Sequence, residues 1–179
     1  MLTPTAYGLA IALDVLVLFI GARFLLQPVP AAAGYGVPSQ PSAYLTIKGL
    51  RDLSYGVLGL ALLAFAGAHA AGWFMLVTAL NPLGDTMIVL RNGGPTAAAF
   101  GIHFATAAAS AATAALLTWL AIYTTINAPI NKQLTKAAQE GRVPPNARDL
   151  QTRWDSVIYL RAALQGVAVA GLCLTLVLH

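Results

Sequence analysis

The sequence predicts an all-α integral membrane bundle of four or five transmembrane helices, and three observations carry that prediction. Of its 179 residues, 58% are hydrophobic and only 9% are charged, against about 25% charged in soluble domains. Mean hydropathy is +0.73. The apolar residues gather in runs of about 20, the length that crosses a ~30 Å hydrocarbon core at ~1.5 Å per residue. A chain of this size makes one bundle, residues 1–179, rather than two domains.

The first span is 6–26, with Asp14 near mid-depth and Arg23 near its end. It lacks a basic leader and a small-residue cleavage site, so it reads as a retained helix rather than a signal peptide. Residues 27–42 contain Pro28, Pro30, Gly34, Gly36, Pro38 and Pro41, with no charge and no helical period. They read as a loop, either a lid over the bundle mouth or a segment resting on lipid headgroups. The second span is 46–66 and the third 72–90, joined by a connection whose polar residue is His69. Arg91-Asn92-Gly93-Gly94-Pro95 breaks the chain before the fourth span, 97–123. That span is crowded with Ala, Ser and Thr, which let helices approach closely in a membrane, so it belongs at the centre. Asn127-Ala128-Pro129-Ile130-Asn131 is expected to end or kink it. A polar segment, 132–155, has a helix up to Glu140, a stop at Gly141 and a turn at Pro144-Pro145; the fifth span is 156–178.

Charge sets the orientation. Five of the ten Lys and Arg residues lie in the polar segment. The positive-inside rule puts that segment and the N-terminus in the cytoplasm of an inner-membrane protein. Basic residues beside a membrane face anionic lipid, so no nucleic acid is expected as a partner. A lone cysteine, Cys173, excludes an internal disulfide and a cysteine-based metal cluster. The carboxylates and histidines in the spans have no His-x₃-His or Glu-x-x-His spacing, so no metal site is expected. A haem held by His69 and His103 is disfavoured because the topology puts them near opposite faces.

Charge inside the spans locates the site, because a charged side chain in a bilayer costs at least ~2.5–3.5 kcal/mol. The second span opens with Lys48-Gly49-Leu50-Arg51-Asp52, and the third carries Asn81-Pro82-Leu83-Gly84-Asp85. Lys48, Asp52 and Tyr55 share one helical face, as do Asn81 and Asp85. The topology brings Arg51, Asp52, Asp85 and His103 together in the outer half of the bundle. One reading is an ion-pair network, Arg51 with Asp85 and Asp52 with Lys48, that holds helices together. The other is a polar pocket in which Asp85 or His103 exchanges a proton with a small molecule held by Asn81, Tyr55 and Lys48. A third is a proton or ion pathway. At the opposite end, Trp154 is an interfacial anchor, and Arg161 either snorkels or pairs with Asp14.

Two resemblances sharpen this reading. Lys48-Gly49-Leu50-Arg51-Asp52, Asn81-Pro82-Leu83-Gly84-Asp85 with Ile88-Val89-Leu90, and Gly101-Ile102-His103 resemble a family of small bacterial and fungal membrane proteins that carries no firm activity. It is related in style to the DoxX-like four-helix proteins, and the similarity covers roughly residues 5–125. The last third, with Asn127-Ala128-Pro129-Ile130-Asn131, Arg153-Trp154 and Arg161, resembles the anthrone-oxygenase-like membrane family. That resemblance implies oxygenation of an aromatic, polyketide-like substrate with O₂ as co-substrate and no cofactor. Asp85 or His103 would be the base and Arg51 the enolate stabiliser, assisted by Asp52. In that family three spans precede the Asn-x-Pro-x-Asn motif, whereas four precede it here. The expected partners are a hydrophobic small molecule and the bilayer, with a homo-oligomer compatible. The competing expectation is a non-catalytic protein that binds a lipophilic ligand or stabilises a membrane complex.

Overall fold

In the computed structural model, which describes residues 2–36 and 42–178, every regular element is helical. α1 (Leu2–Leu26) is followed by a short helix, α2 (Pro28–Tyr35), then by α3 (Ser42–Ala61), which runs on through a π-helical turn at Leu62–Ala66. α4 (Gly67–Thr78) and α5 (Leu80–Arg91) return across the bundle. After a bend come α6 (Thr96–Ala98), a π-helical turn at Ala99–Phe104, and α7 (Ala105–Ile122). A third π-helical turn, Tyr123–Asn127, leads into α8 (Ala128–Gln139); α9 (Ala147–Asp155) and α10 (Ile158–Leu178) follow.

Among the described residues, four continuous helical stretches are long and apolar enough to cross a membrane: Pro4–Leu26, Tyr44–Arg91, Thr96–Gln139 and Ala147–Leu178. The second has 48 residues, and a straight helix of that length would extend ~70 Å, more than twice a bilayer core. It folds back instead. Gly67 adopts φ +82, a left-handed value suited to glycine, at the end of the π-helical turn. Asp52 and Asp85, from the two arms, consequently line the same cavity. The described chain therefore presents five rods, within the four or five transmembrane helices the sequence predicts.

α7 is the central rod. In its stretch 61% of the apolar window is buried, compared with 22% for the first two stretches and 11% for the last. Its Ala105, Ala107, Ala112, Ala114 and Ala115 are small enough for α1, α4 and α10 to close around it. Where α10 meets α7, a Cβ on Gly171 would lie 2.8 Å from the Ala108 carbonyl oxygen. α1 and α3 make the other close pair. A Cβ on Gly21 would sit 2.5 Å from the Leu53 nitrogen, and one on Gly49 would sit 2.9 Å from the Gly21 oxygen. The outward faces carry Phe19, Ile47, Leu58, Trp73 and Val169, all exposed and suited to lipid.

One sequence expectation changes here and a second narrows. Residues 27–42 read as a loop by composition, yet Pro28–Tyr35 is helical. Pro28 occupies the first turn, where its missing N–H costs nothing, and Ala31-Ala32-Ala33 favours helix. Gly36 closes the segment with φ 80; Pro38 and Pro41 lie outside the described residues. At Pro129, where an end or a kink is expected, the helix does not end. The wider π-helical turn at Tyr123–Asn127 shifts the hydrogen-bond register before the proline, and the helix continues to Gln139.

Candidate functional site

The outer half of the bundle is assembled around Tyr35. α2 folds back from the end of α1 and docks through buried Ala31 and Ala32 beside Phe24 and Leu45. This carries Tyr35 into the space between α3, α5 and α7. Its hydroxyl donates a hydrogen bond to the Asp85 carboxylate. Its carbonyl oxygen lies 2.9 Å from His103 Nε2. The ring stands edge-on to Phe24 at 5.4 Å and to His103 at 4.3 Å between centroids. Lys48 Nζ lies 4.2 Å from the Tyr35 centroid and 2.6 Å from Asp52 Oδ2. Tyr35 is thus held by three rods at once. Burial, and then the negative charge of Asp85, push its pKa upward, so the phenol keeps its proton.

Tyr35 separates two spaces. Beneath it, toward the bundle centre, is a cavity of about 100 Å³ lined by Asp14, Asp52, Tyr55, Thr78, Asn81, Asp85, His103, Thr106 and Ser110 among apolar side chains. Outside it is a groove of about 460 Å³ between α3 and α5, with Lys48, Arg51, Asp52, Asn81 and Asp85 along its floor and walls. The groove exists because α3 packs on α1 while α4 and α5 pack on α7, so the arms diverge from their Gly67 turn. Its rim carries Tyr44, Leu80 and Ile88, 60%, 64% and 50% exposed. Residues exposed to that degree between two lipid-facing rods make the groove accessible from the bilayer.

The expected residues sort clearly. Lys48 and Asp52 pair as their shared face predicts. Arg51 does not pair with Asp85, because Tyr35 occupies that carboxylate; among the described residues Arg51 has no ion-pair partner, and it lies exposed on the groove wall. His103 is buried at 2% exposure and its Nε2 is engaged by the Tyr35 backbone. Asp85 and His103 are thus both engaged by Tyr35, the first by its hydroxyl and the second by its carbonyl oxygen. Tyr55, Asn81 and Ser110 line the cavity without a side-chain hydrogen bond among the described residues. Asp14 does not reach Arg161. Its carboxylate packs on Gly59 of α3 and lines the cavity, with Oδ2 buried and unpartnered.

Arg161 instead belongs to the opposite end, where its guanidinium lies 5.1 Å from the Trp119 ring, 5.5 Å from Trp154 and 5.9 Å from Tyr123. Trp154 Nε1 donates to Asn131 Oδ1 at 3.2 Å, tying α9 to α8, and Asn127 is fully buried on the same side. These residues form an interfacial cluster remote from the cavity. Among the described residues, no three His, Cys, Asp or Glu side chains gather as a metal site would require.

Sequence reasoning missed Tyr35. It lies in a stretch whose Pro and Gly content masked a helix, and it carries no formal charge to mark it. The signal present was an aromatic phenol at the end of the Pro28–Tyr35 helix, directly before the left-handed Gly36.

The chain belongs to the family described as a domain of unknown function (DUF4267), whose model matches residues 15–117. The match runs from α1 through most of α7 and so takes in Tyr35, Lys48, Asp52, Asp85 and His103. No curated protein and no solved structure matches the chain.

Proposed function

We propose that this family member admits a lipophilic small molecule from the bilayer through the α3–α5 groove into the cavity beneath Tyr35, where Asp85 accepts a proton from it. One observation carries the reading: the cavity is lined by Asp14, whose buried Oδ2 has no hydrogen-bond partner among the described residues, together with Tyr55, Asn81 and Ser110, whose side chains make no hydrogen bond there. A buried polar atom without a partner is costly, so a guest or water completes Asp14. An assembly role would leave the small-residue face of α7 free, whereas that face is buried within the bundle.

The cavity alone is smaller than the ~150 Å³ that holds benzene in an apolar protein interior. A multi-ring ligand therefore needs Tyr35 to move and join cavity to groove, reaching the ~300–1,000 Å³ range of small-molecule sites. Tyr35 acts as a latch. When its hydroxyl leaves Asp85, the carboxylate is free to take an acidic O–H or C–H proton, and Lys48 stands near the anion that results. The finer form of the proposal is an aromatic, polyketide-like substrate whose carbanion passes electrons to O₂, as the anthrone-oxygenase resemblance implies. A second reading, a non-catalytic carrier using the same cavity, is favoured by the fact that Asp85 and Lys48 already have partners.

Proton abstraction can be tested without oxygen. The acidic methylene protons of anthrone exchange with D₂O, and NMR follows the exchange under nitrogen in detergent. The wild-type protein is expected to accelerate it. Asp85→Asn should lose about 100-fold or more, the contribution of a placed general base. Equal exchange with and without protein would refute the catalytic reading.

A further inference from the structure

We infer that Asp14 is the deep anchor of the ligand cavity and that it recognises a hydroxyl group on the guest, an inference that rests on the cavity reading above. Asp14 is 3% exposed in the middle of α1, yet its Oδ2 has no hydrogen-bond partner. Its position is fixed. The carboxylate lies directly on Gly59, where even a methyl group would collide with it, so α3 presses the side chain toward the cavity that it lines. No described cation pairs with it; Arg161, the nearest expectation from the sequence, is held among aromatic rings at the other end of the bundle.

The surroundings specify the chemistry. Thr78 and Thr106 direct their hydroxyls to carbonyls of their own helical stretches. Ser110, 8% exposed and lining the same cavity, makes no side-chain hydrogen bond among the described residues. Asp14 and Ser110 together offer an acceptor and a donor. A hydroxyl, which both donates and accepts, satisfies the pair, and a methyl can do neither. Asp14 packs on Gly59, seven residues beyond Asp52 along α3, ~10 Å at helical rise, so it lies at the end of the cavity away from the Lys48–Asp52 pair.

A one-ring probe is the smallest aromatic that carries the hydroxyl, and it enters as Tyr35 yields space from the adjoining groove. Binding of 4-fluorophenol and 4-fluorotoluene to the full-length protein in detergent is measured by ¹⁹F NMR, with empty micelles subtracted. Wild-type protein is expected to bind the phenol about tenfold more tightly. Asp14→Leu should bind both probes equally, Asp14→Asn should keep part of the preference, and Ser110→Ala should reduce it. Equal binding of both probes by the wild type, or a preference that survives in Asp14→Leu, overturns the hydroxyl assignment alone. The wild-type comparison needs no variant to fold. Binding of neither probe overturns the cavity reading and this inference with it.

Discussion

Replacing Tyr35 by phenylalanine removes one hydrogen bond and little else, which makes it a sharp test of the latch. The ring contacts with Phe24 at 5.4 Å and His103 at 4.3 Å need no hydroxyl. Neither does the Lys48 ammonium 4.2 Å from the ring centroid, nor the 2.9 Å contact between the Tyr35 carbonyl and His103. The Tyr35→Phe variant therefore keeps α2 docked, while the Asp85 carboxylate loses its donor. A hydrogen bond to a charged group contributes ~1.5–3 kcal/mol. The open population of α2 should accordingly rise by roughly 10- to 100-fold. Hydrogen exchange read by mass spectrometry should show this in peptides covering Pro28–Tyr35, with the central α7 peptides unchanged. The same hydroxyl predicts a pH signature. Its pKa is raised in the folded protein, by burial first and then by Asp85, so its stabilising effect is full below the unfolded-state value of ~10 and is lost as pH climbs above it. The wild-type advantage over Tyr35→Phe should be flat from about pH 6 to 9 and shrink at higher pH. Unchanged exchange in α2 at neutral pH would refute the latch.

Further perturbations probe the frame around the site. Gly21→Ala drives a methyl against the backbone of α3 and should cost ~1–3 kcal/mol, lowering the thermal midpoint. Gly84→Ala, on the groove wall with nothing within 4 Å of a built Cβ, should leave that midpoint unchanged or raise it. A double-mutant cycle between Lys48→Met and Tyr35→Leu should return a coupling of ~0.5–2 kcal/mol from the cation over the ring; a value near zero would remove Lys48 from the latch. Arg161→Ala strips the guanidinium from among Trp119, Tyr123 and Trp154, and hydrogen exchange in Ala147–Asp155 should rise while ligand binding in the cavity is untouched.

Most of the architecture was written in local pattern. Long apolar runs fix the rods, and the Ala, Ser and Thr content of α7 fixes its central place, because both follow from side-chain size and transfer energy alone. The i,i+4 pairing of Lys48 with Asp52 was legible for the same reason. What escaped was contact between segments far apart in the chain. Arg51 with Asp85 was a sound pairing by charge and depth, yet a neutral phenol 50 residues away took that carboxylate. Asp14 and Arg161 are the complementary case: both lie in apolar stretches, but they occupy separate layers, one against a glycine and one among aromatic rings. Opposite charge gives no information on which helix face each residue shares with its neighbours. The π-helical turn before Pro129 was invisible because a register shift leaves no compositional mark.

The central claim is that the space beneath Tyr35 is a ligand site, and native mass spectrometry of gently solubilised protein tests it most directly. Wild-type protein should carry a small organic adduct, or take up 4-fluorophenol added to it. Ser110→Phe, which fills the cavity from α7, should carry neither while remaining folded. Identical bare masses for the two proteins, with no uptake of the probe by either, would contradict the account.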